Sequence, residues 1–272
     1  MVLTIVTVVK DDADGLDRTL ESMVRQSDRT RLMVMDGGSN DDTLDVIEKW
    51  KLALSMEVES QPDLGPYDAM NKVLDKLTGA DLVWFINAGD TLRGSDALEK
   101  ALDLTRDPNF TWGFGPHCVL ETTGEFRRIE TGQPYSLANH AYGKTPICHQ
   151  AVIARVSCLR QVGGFDLRYP IAADYRSLLL LGRQWQPKQW GNVLVEYRAG
   201  GISDRHLGAT IREQGRVRRE VFQPHGGSRI LDHLFDTRRL LRHGVRQVLV
   251  RGGINPTQLT SLSRTNRKVL GP

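Results

Sequence analysis

LTIVTVVKDDADGLDRTLESMVRQSDRTRLMVMD, residues 3–36, holds one complete passage from strand to helix to strand. Leu3 to Val9 is apolar and rich in β-branched side chains, the pattern of a buried strand. Leu16, Leu20, Met23 and Val24 follow at i, i+4, i+7 and i+8, one face of a helix. Leu32 to Met35 is a second short strand. The alternation continues: Leu44, Ile47 and Trp50 mark a helix, and Leu54 to Val58 a weaker strand. Pro66 opens a third helix with Met70, Val73, Leu74 and Leu77 on its apolar face. Asp81 to Ile86 is a fourth strand, and Ser95 starts a helix bearing Ala97, Leu98, Ala101 and Leu102. Strands alternating with helices of this length predict an α/β fold with a mostly parallel central sheet.

In such sheets ligands bind beyond the carboxyl ends of the strands. Lys10-Asp11-Asp12 follows the first strand, and Asp36-Gly-Gly-Ser-Asn-Asp-Asp42 the second. Gln61-Pro-Asp63 follows the third, and Asn87-Ala-Gly-Asp90 the fourth. One such aspartate is ordinary turn or N-cap chemistry. Acids or amides at all four ends point instead to a site for the base and ribose of a nucleotide. Carboxylates accept hydrogen bonds from such groups but repel a diphosphate unless a divalent cation lies between them. Gly-x-Gly-x-x-Gly and Walker A patterns are both missing, which sets dinucleotide and P-loop sites aside.

Composition narrows the field further. The 272 residues are 40% hydrophobic and 25% charged, the balance of a globular chain. No apolar run approaches the roughly 18–20 residues that cross a bilayer. No basic segment precedes the first apolar run, so a cytoplasmic protein is expected. Cys118, Cys148 and Cys158 lack C-x-x-C spacing and read as reduced structural thiols. The net charge of +3 conceals an asymmetry. Residues 1–103 carry 21 acids and 11 bases, whereas residues 205–251 carry 11 arginines and 4 acids. The acidic half argues against a nucleic-acid partner.

The second half reads as strands at Thr111–Leu120 and Phe126–Ile129 joined through Thr-Thr-Gly-Glu, then a strand over Cys148–Arg155. A short helix over Val156–Val162 ends at Gly163-Gly164, Ala173–Leu181 is helical, and Gln189–Tyr197 is extended. In the tail, Ile230, Leu231, Leu234, Phe235, Leu240, Leu241, Val245, Val248 and Leu249 recur at helical spacing. Arg238, Arg239, Arg242, Arg246 and Arg251 are interleaved with them. Two explanations stand: a helix packed on the domain with a solvated basic face, or a helix lying on an anionic membrane surface. The end from Asn255 is polar.

Taken together, these motifs resemble family 2 glycosyltransferases. Asp36-Gly-Gly-Ser-Asn-Asp-Asp-Thr43 is similar to the family's Asp-Gly-x-Ser-x-Asp-x-Thr loop. Ser60-Gln-Pro-Asp-Leu-Gly-Pro-Tyr-Asp-Ala-Met-Asn-Lys72 and Trp84-Phe-Ile-Asn-Ala-Gly-Asp90 resemble a bacterial subgroup that builds exopolysaccharide and capsule, colanic-acid-type enzymes included. Cys148-His-Gln-Ala151, Gly163-Gly-Phe-Asp166, Ala172-Ala-Asp-Tyr175 and Gly200-Gly-Ile-Ser203 follow in the subgroup's order. The resemblance covers residues 1–205. It implies a GT-A fold with a nucleotide-sugar half over 1–105, an acceptor half over 106–205 and a basic helical extension over 206–272. It implies an inverting transfer from a nucleotide-sugar, a UDP-sugar before a GDP-sugar, to a saccharide or lipid-linked acceptor. Such work places the protein in the cytoplasm or at the inner face of the cell membrane.

Carried over by position, Asp36 holds the nucleobase, and Asp11, Asp63 and Asn71 line the same pocket; a surface amide is the plainer reading of Asn71. Asp90 ligates Mn2+ or Mg2+ bridging the diphosphate, with Asn87 and Gly89 standing where acids are commoner. Asp174 is the general base that an inverting displacement requires, or else the N-cap of its helix. His149 and Gln150 are substrate contacts, and His206 is a second candidate for the metal. Two other readings stay open. A sugar nucleotidyltransferase needs a cationic loop where Lys10-Asp-Asp-Ala-Asp-Gly15 is acidic. A catalytically silent nucleotide-sugar-binding scaffold has no need of both Asp90 and Asp174.

Overall fold

The computed structural model describes residues 2–24 and 30–251, without the side chains of residues 246 and 249–251. The readings made above of Arg246, Leu249, Arg251 and the end from Asn255 therefore lie outside the described residues. The described chain runs β1 (Leu3–Val9), α1 (Ala13–Glu21), β2 (Arg31–Asp36), α2 (Thr43–Lys51), β3 (Met56–Ser60), α3 (Pro66–Lys76) and β4 (Leu82–Phe85). It continues with β5 (Thr91–Leu92), α4 (Ala97–Leu104), β6 (Trp112–Phe114), β7 (His117–Leu120), β8 (Phe126–Glu130) and α5 (Leu137–Ala141). Then come β9 (Val152–Arg155), α6 (Val156–Gln161), α7 (Ala173–Gln184), β10 (Lys188–Gln189), β11 (Val195–Arg198), α8 (Ile202–Arg205), α9 (Leu207–Phe222) and α10 (Gly226–Arg251).

A seven-stranded sheet is ordered β10-β6-β9-β4-β1-β2-β3. β4, β1, β2 and β3 are parallel, and β9 enters antiparallel between β4 and β6. The buried apolar run of β1 explains its central place, because both faces of a central strand are covered. The register aligns Val9 with Asp36 and Asp36 with Ser60, so three strand ends reach one rim together. Asp12 caps α1 by accepting the Gly15 N–H at 3.0 Å. Pro66 sits at the first turn of α3, where its missing N–H leaves no bond unmade.

Several expectations are corrected here. Thr111–Leu120 is not one strand: Gly115-Pro116 break it, β6 joins the large sheet, and β7 joins a second sheet ordered β5-β11-β7-β8. Pro116 has no N–H to give a ladder, so the chain leaves the first sheet there. Cys148–Arg155 is a 3₁₀ turn over His149–Ala151 followed by β9. Gln189–Tyr197 divides likewise into β10 and β11. The three cysteines are free thiols, with Cys118 and Cys158 buried.

The chain separates into two compact units between Asp204 and Arg205. In the second unit α9 and α10 form an antiparallel hairpin, closed by Gln223 in the left-handed conformation. The helical tail expected from residue 206 is present among the described residues as α9 and α10, and specific contacts join the two helices. Arg218 Nε donates to Asp232 Oδ1 at 2.8 Å, and its Nη2 to Asp236. Arg219 Nη1 reaches Asp232 Oδ2 at 2.7 Å and Asp236 Oδ2 at 2.8 Å. Burial alone would raise the Asp232 carboxyl, but the hydrogen bonds and charges of both arginines hold it below the ordinary carboxylate range. Ile211, Val217 and Val221 of α9 are buried alongside these ion pairs.

Candidate active site

Two groups of predicted residues gather at the carboxyl ends of the parallel strands. The first joins Asp11, Asp36 and Asp63. Asp36 is 2% exposed. Its Oδ1 accepts Ser39 Oγ and its Oδ2 accepts Ser60 Oγ, each at 2.5 Å. Ser39 Oγ in turn accepts the Asp11 N–H at 2.8 Å, and Asp11 Oδ1 accepts the Asn40 N–H at 2.7 Å. Asp11 has φ +49°, a conformation that non-glycine residues adopt rarely. Asp63 approaches from the β3–α3 loop. A Cβ on Gly37 would stand 2.6 Å from Asp63 Oδ2, so a larger residue there would displace the Asp63 carboxylate. Asp36 thus spends its hydrogen bonds on the loop, while the Asp11 and Asp63 carboxylates remain partly open to solvent.

The second group surrounds a cavity of about 500 Å³ lined by Asn87, His149, Gln150 and Asp174. Asp174 occupies the first turn of α7 and is not its N-cap, which is Ala172 with no side-chain cap bond. Asp174 Oδ1 accepts Tyr67 O–H at 2.9 Å and the Tyr175 N–H at 2.7 Å. Its Oδ2 makes no hydrogen bond among the described residues. His149 stacks on Phe85 at 5.5 Å, and neither of its ring nitrogens has a partner among the described residues. Burial lowers its affinity for a proton, and the Asp174 charge opposes that. Asn87 Oδ1 is also buried without a partner among the described residues. Buried polar groups are normally satisfied, and these atoms of His149 and Asn87, both residues of the cavity lining, are exceptions among the described residues.

Asp90 lies just behind this wall, 5% exposed. Burial pushes its carboxyl up to about 7, against the opposing Arg198 N–H and Gln150 amide and with help from Asp12. The Arg198 N–H reaches Oδ1 at 2.9 Å. The turn before it needs Gly89 at φ +94°, which explains why no acidic side chain stands there. Gln150 also accepts the Cys148 S–H at 3.0 Å, so burial and the Asp90 charge push the Cys148 thiol up.

Asn71 lies apart from these groups. The Asn71 amide is a staple: Nδ2 donates to Phe165 O at 2.7 Å and Oδ1 accepts the Phe165 N–H at 2.9 Å. It fixes α3 to the turn after α6 and is neither a pocket group nor a surface amide. His206 is exposed, precedes α9 and belongs to the second unit.

The second sheet supplies cavity residues that sequence reasoning missed, namely His117, Arg128, Glu130 and Tyr197. His117 Nε2 lies 3.5 Å from Glu130 Oε2, and Arg128 Nε donates to Glu130 Oε1 at 2.6 Å. The hydrogen bond from His117 is the largest influence holding the Glu130 carboxyl down at about 2, and Arg128 adds to it. Tyr67 was quoted within a motif but not given a role. Within β8, Arg128 and Glu130 share a face two residues apart, the one local signal for this group.

No three His, Cys, Asp or Glu side chains group as a metal cage among the described residues. A cation held by one carboxylate together with oxygens of a polyanionic ligand needs no cage. The Asp90 carboxyl suits that role, because a neighbouring cation relieves the burial that resists its ionisation.

A mostly parallel sheet with acids at its strand ends, beside a cavity lined by a carboxylate on a helix, is an arrangement that comparison with known proteins identifies. The family model for glycosyl transferase family 2 matches residues 4–162, and the chain belongs to that family. It is similar to an uncharacterized glycosyltransferase of Mycobacterium tuberculosis, 32% identical over 237 residues that cover 84% of this chain and 87% of the relative. A PGL/p-HBAD biosynthesis glycosyltransferase of Mycobacterium bovis is 29% identical over 163 residues, 59% of this chain and 61% of that one. Among solved structures, a mannosyltransferase of Pyrobaculum calidifontis in complex with GDP-Man and Mn2+ superposes with a TM-score of 0.64 at 15% identity, covering 99% of this chain and 81% of that one. Staphylococcus aureus TarS in complex with UDP-GlcNAc gives 0.58 at 14% identity, covering 89% and 72%. The chain is accordingly a glycosyltransferase of GT-A fold.

Proposed function

We propose that this glycosyltransferase moves a sugar, with inversion, from a nucleoside diphosphate donor to a saccharide or lipid-linked acceptor. A UDP-sugar is the first choice and a GDP-sugar the second. The reading is carried by Asp174, whose Oδ2 is left open on a rigid helix turn beside the orphaned polar atoms of His149 and Asn87. The solved relatives bound to GDP-Man and UDP-GlcNAc support the donor class.

Asp11 and Asp63 accept hydrogen bonds from the base and ribose, and Asp36 holds the loop that presents them. His149, Asn87 and Gln150 orient the sugar, with Gln150 also fixing Asp90. Asp90 holds a divalent cation, Mn2+ or Mg2+, which when bound neutralises charge on the diphosphate leaving group. Asp174 Oδ2 takes the proton of the acceptor hydroxyl as that oxygen bonds to the anomeric carbon. The bond from that carbon to the phosphate oxygen breaks, and the nucleoside diphosphate leaves with the electron pair. Tyr67 holds the base in place through Oδ1.

Asp174→Asn tests the assignment. Turnover is expected to fall by about 10²–10⁴-fold with donor affinity near that of the parent protein. Product configuration, read by NMR, is expected to be opposite to that of the donor. Retention of configuration, or unchanged turnover, would overturn the mechanism.

A further inference from the structure

Among the described residues, the α9–α10 hairpin leaves a large apolar stripe exposed. Ile230, Leu231, Leu234, Leu241, Val245 and Val248 are between 57% and 69% exposed. At 100° per residue, Ile230, Leu234, Leu241, Val245 and Val248 fall within about 60° of one another. Asp232 and Asp236, which bind Arg218 and Arg219 of α9, lie on the opposite side of the helix. The stripe therefore takes no part in holding the hairpin together. It runs for about 27 Å along the helix axis.

The charges choose its occupant. Both acids of α10 are buried against α9, while Arg229, Arg238 and Arg242 are exposed. Arg238 and Arg242 flank the stripe along one edge. A second copy of the helix would set arginines against arginines. A layer of lipid phosphates would neutralise them, and the acyl boundary would cover the stripe. No helix among the described residues is long and apolar enough to cross a membrane, so such a helix lies in the plane of the surface.

We propose that α10 docks the protein on a bilayer bearing anionic head groups, its apolar stripe inserted and Arg238 and Arg242 at head-group level. The inference stands on the hairpin alone and is independent of the transfer mechanism. Sedimentation of the full chain with vesicles of phosphatidylcholine, alone or mixed with phosphatidylglycerol, tests it. Binding is expected to be at least about tenfold tighter to the mixed vesicles. Leu234→Gln/Leu241→Gln/Val245→Gln is expected to abolish binding to both at unchanged helicity by circular dichroism. Arg238→Gln/Arg242→Gln is expected to remove only the preference for the anionic lipid. Equal binding to both vesicle types, or a triple variant that binds like the parent, would overturn the proposal. So would a parent protein that ignores vesicles and is a dimer by light scattering, which the triple variant turns into a monomer.

Discussion

On the role proposed for Asp174, the Tyr67 hydroxyl acts on a reaction that it does not perform. Its O–H bond to Asp174 Oδ1 fixes the carboxylate rotamer and leaves Oδ2 toward the cavity. A hydrogen bond to a charged group contributes about 1.5–3 kcal/mol. Tyr67→Phe is therefore expected to lower kcat by about tenfold or more and leave the donor KM near its starting value. Steady-state kinetics with varied donor separates this from a general loss of structure, which would lower both binding and turnover. At this scale the sequence was legible where a motif names a residue, and less so where one side chain serves another. Asn71 stood inside a nucleotide-site motif, yet its amide is consumed by the Phe165 backbone. Only tertiary contact distinguishes a staple from a ligand, because in sequence both are a polar residue within a motif.

Elements were legible when they were buried on both faces. β1, β2 and β4 are continuous apolar runs, and each falls where its run lies. Sheet membership was not legible: the periodicity across Trp112–Leu120 persists through a change of sheet at Gly115-Pro116. The β7–β8 hairpin carries its own electrostatic lock. Glu130 has its folded value held at about 2, against an unfolded carboxyl near 4.5, by His117 and Arg128. A depressed acid contributes stability above the unfolded value and loses it as pH falls toward the folded one. Urea denaturation of the parent is expected to weaken from pH 5 toward pH 2, and Glu130→Gln to flatten that part of the curve. The α9–α10 hairpin depends on a different kind of pair. Arg218 is 1% exposed, and its loss leaves two buried carboxylates short of a partner. Arg218→Ala is expected to destabilise the hairpin by about 3–5 kcal/mol, measurable as lost protection of its amides in hydrogen exchange.

For the whole molecule, the acidic first half and the basic second unit were both visible in the bare count of charges. The site required folding to assemble, since Asn87, His149 and Asp174 converge from separate parts of the chain. Ligand binding to the folded state should register as stability. With ligand at a hundred times its dissociation constant the gain is about 2.7 kcal/mol, a melting shift on the order of 5–10 °C for a chain of this size. Nucleoside diphosphate with Mn2+ is expected to give that shift in differential scanning fluorimetry, and either one alone much less. Asp90→Asn is expected to abolish the gain from Mn2+ and keep the smaller one from nucleotide. The cavity has another property: its two walls belong to different sheets. Asn87 follows a strand of the large sheet, whereas His117, Arg128, Glu130 and Tyr197 stand on the small one. If the small sheet meets the acceptor, as the reading of 106–205 as the acceptor half expects, substrate preference becomes a transplantable module. A hairpin borrowed from a homologue could replace β7 and β8 and retune which glycan is accepted, with the reaction centre inherited intact.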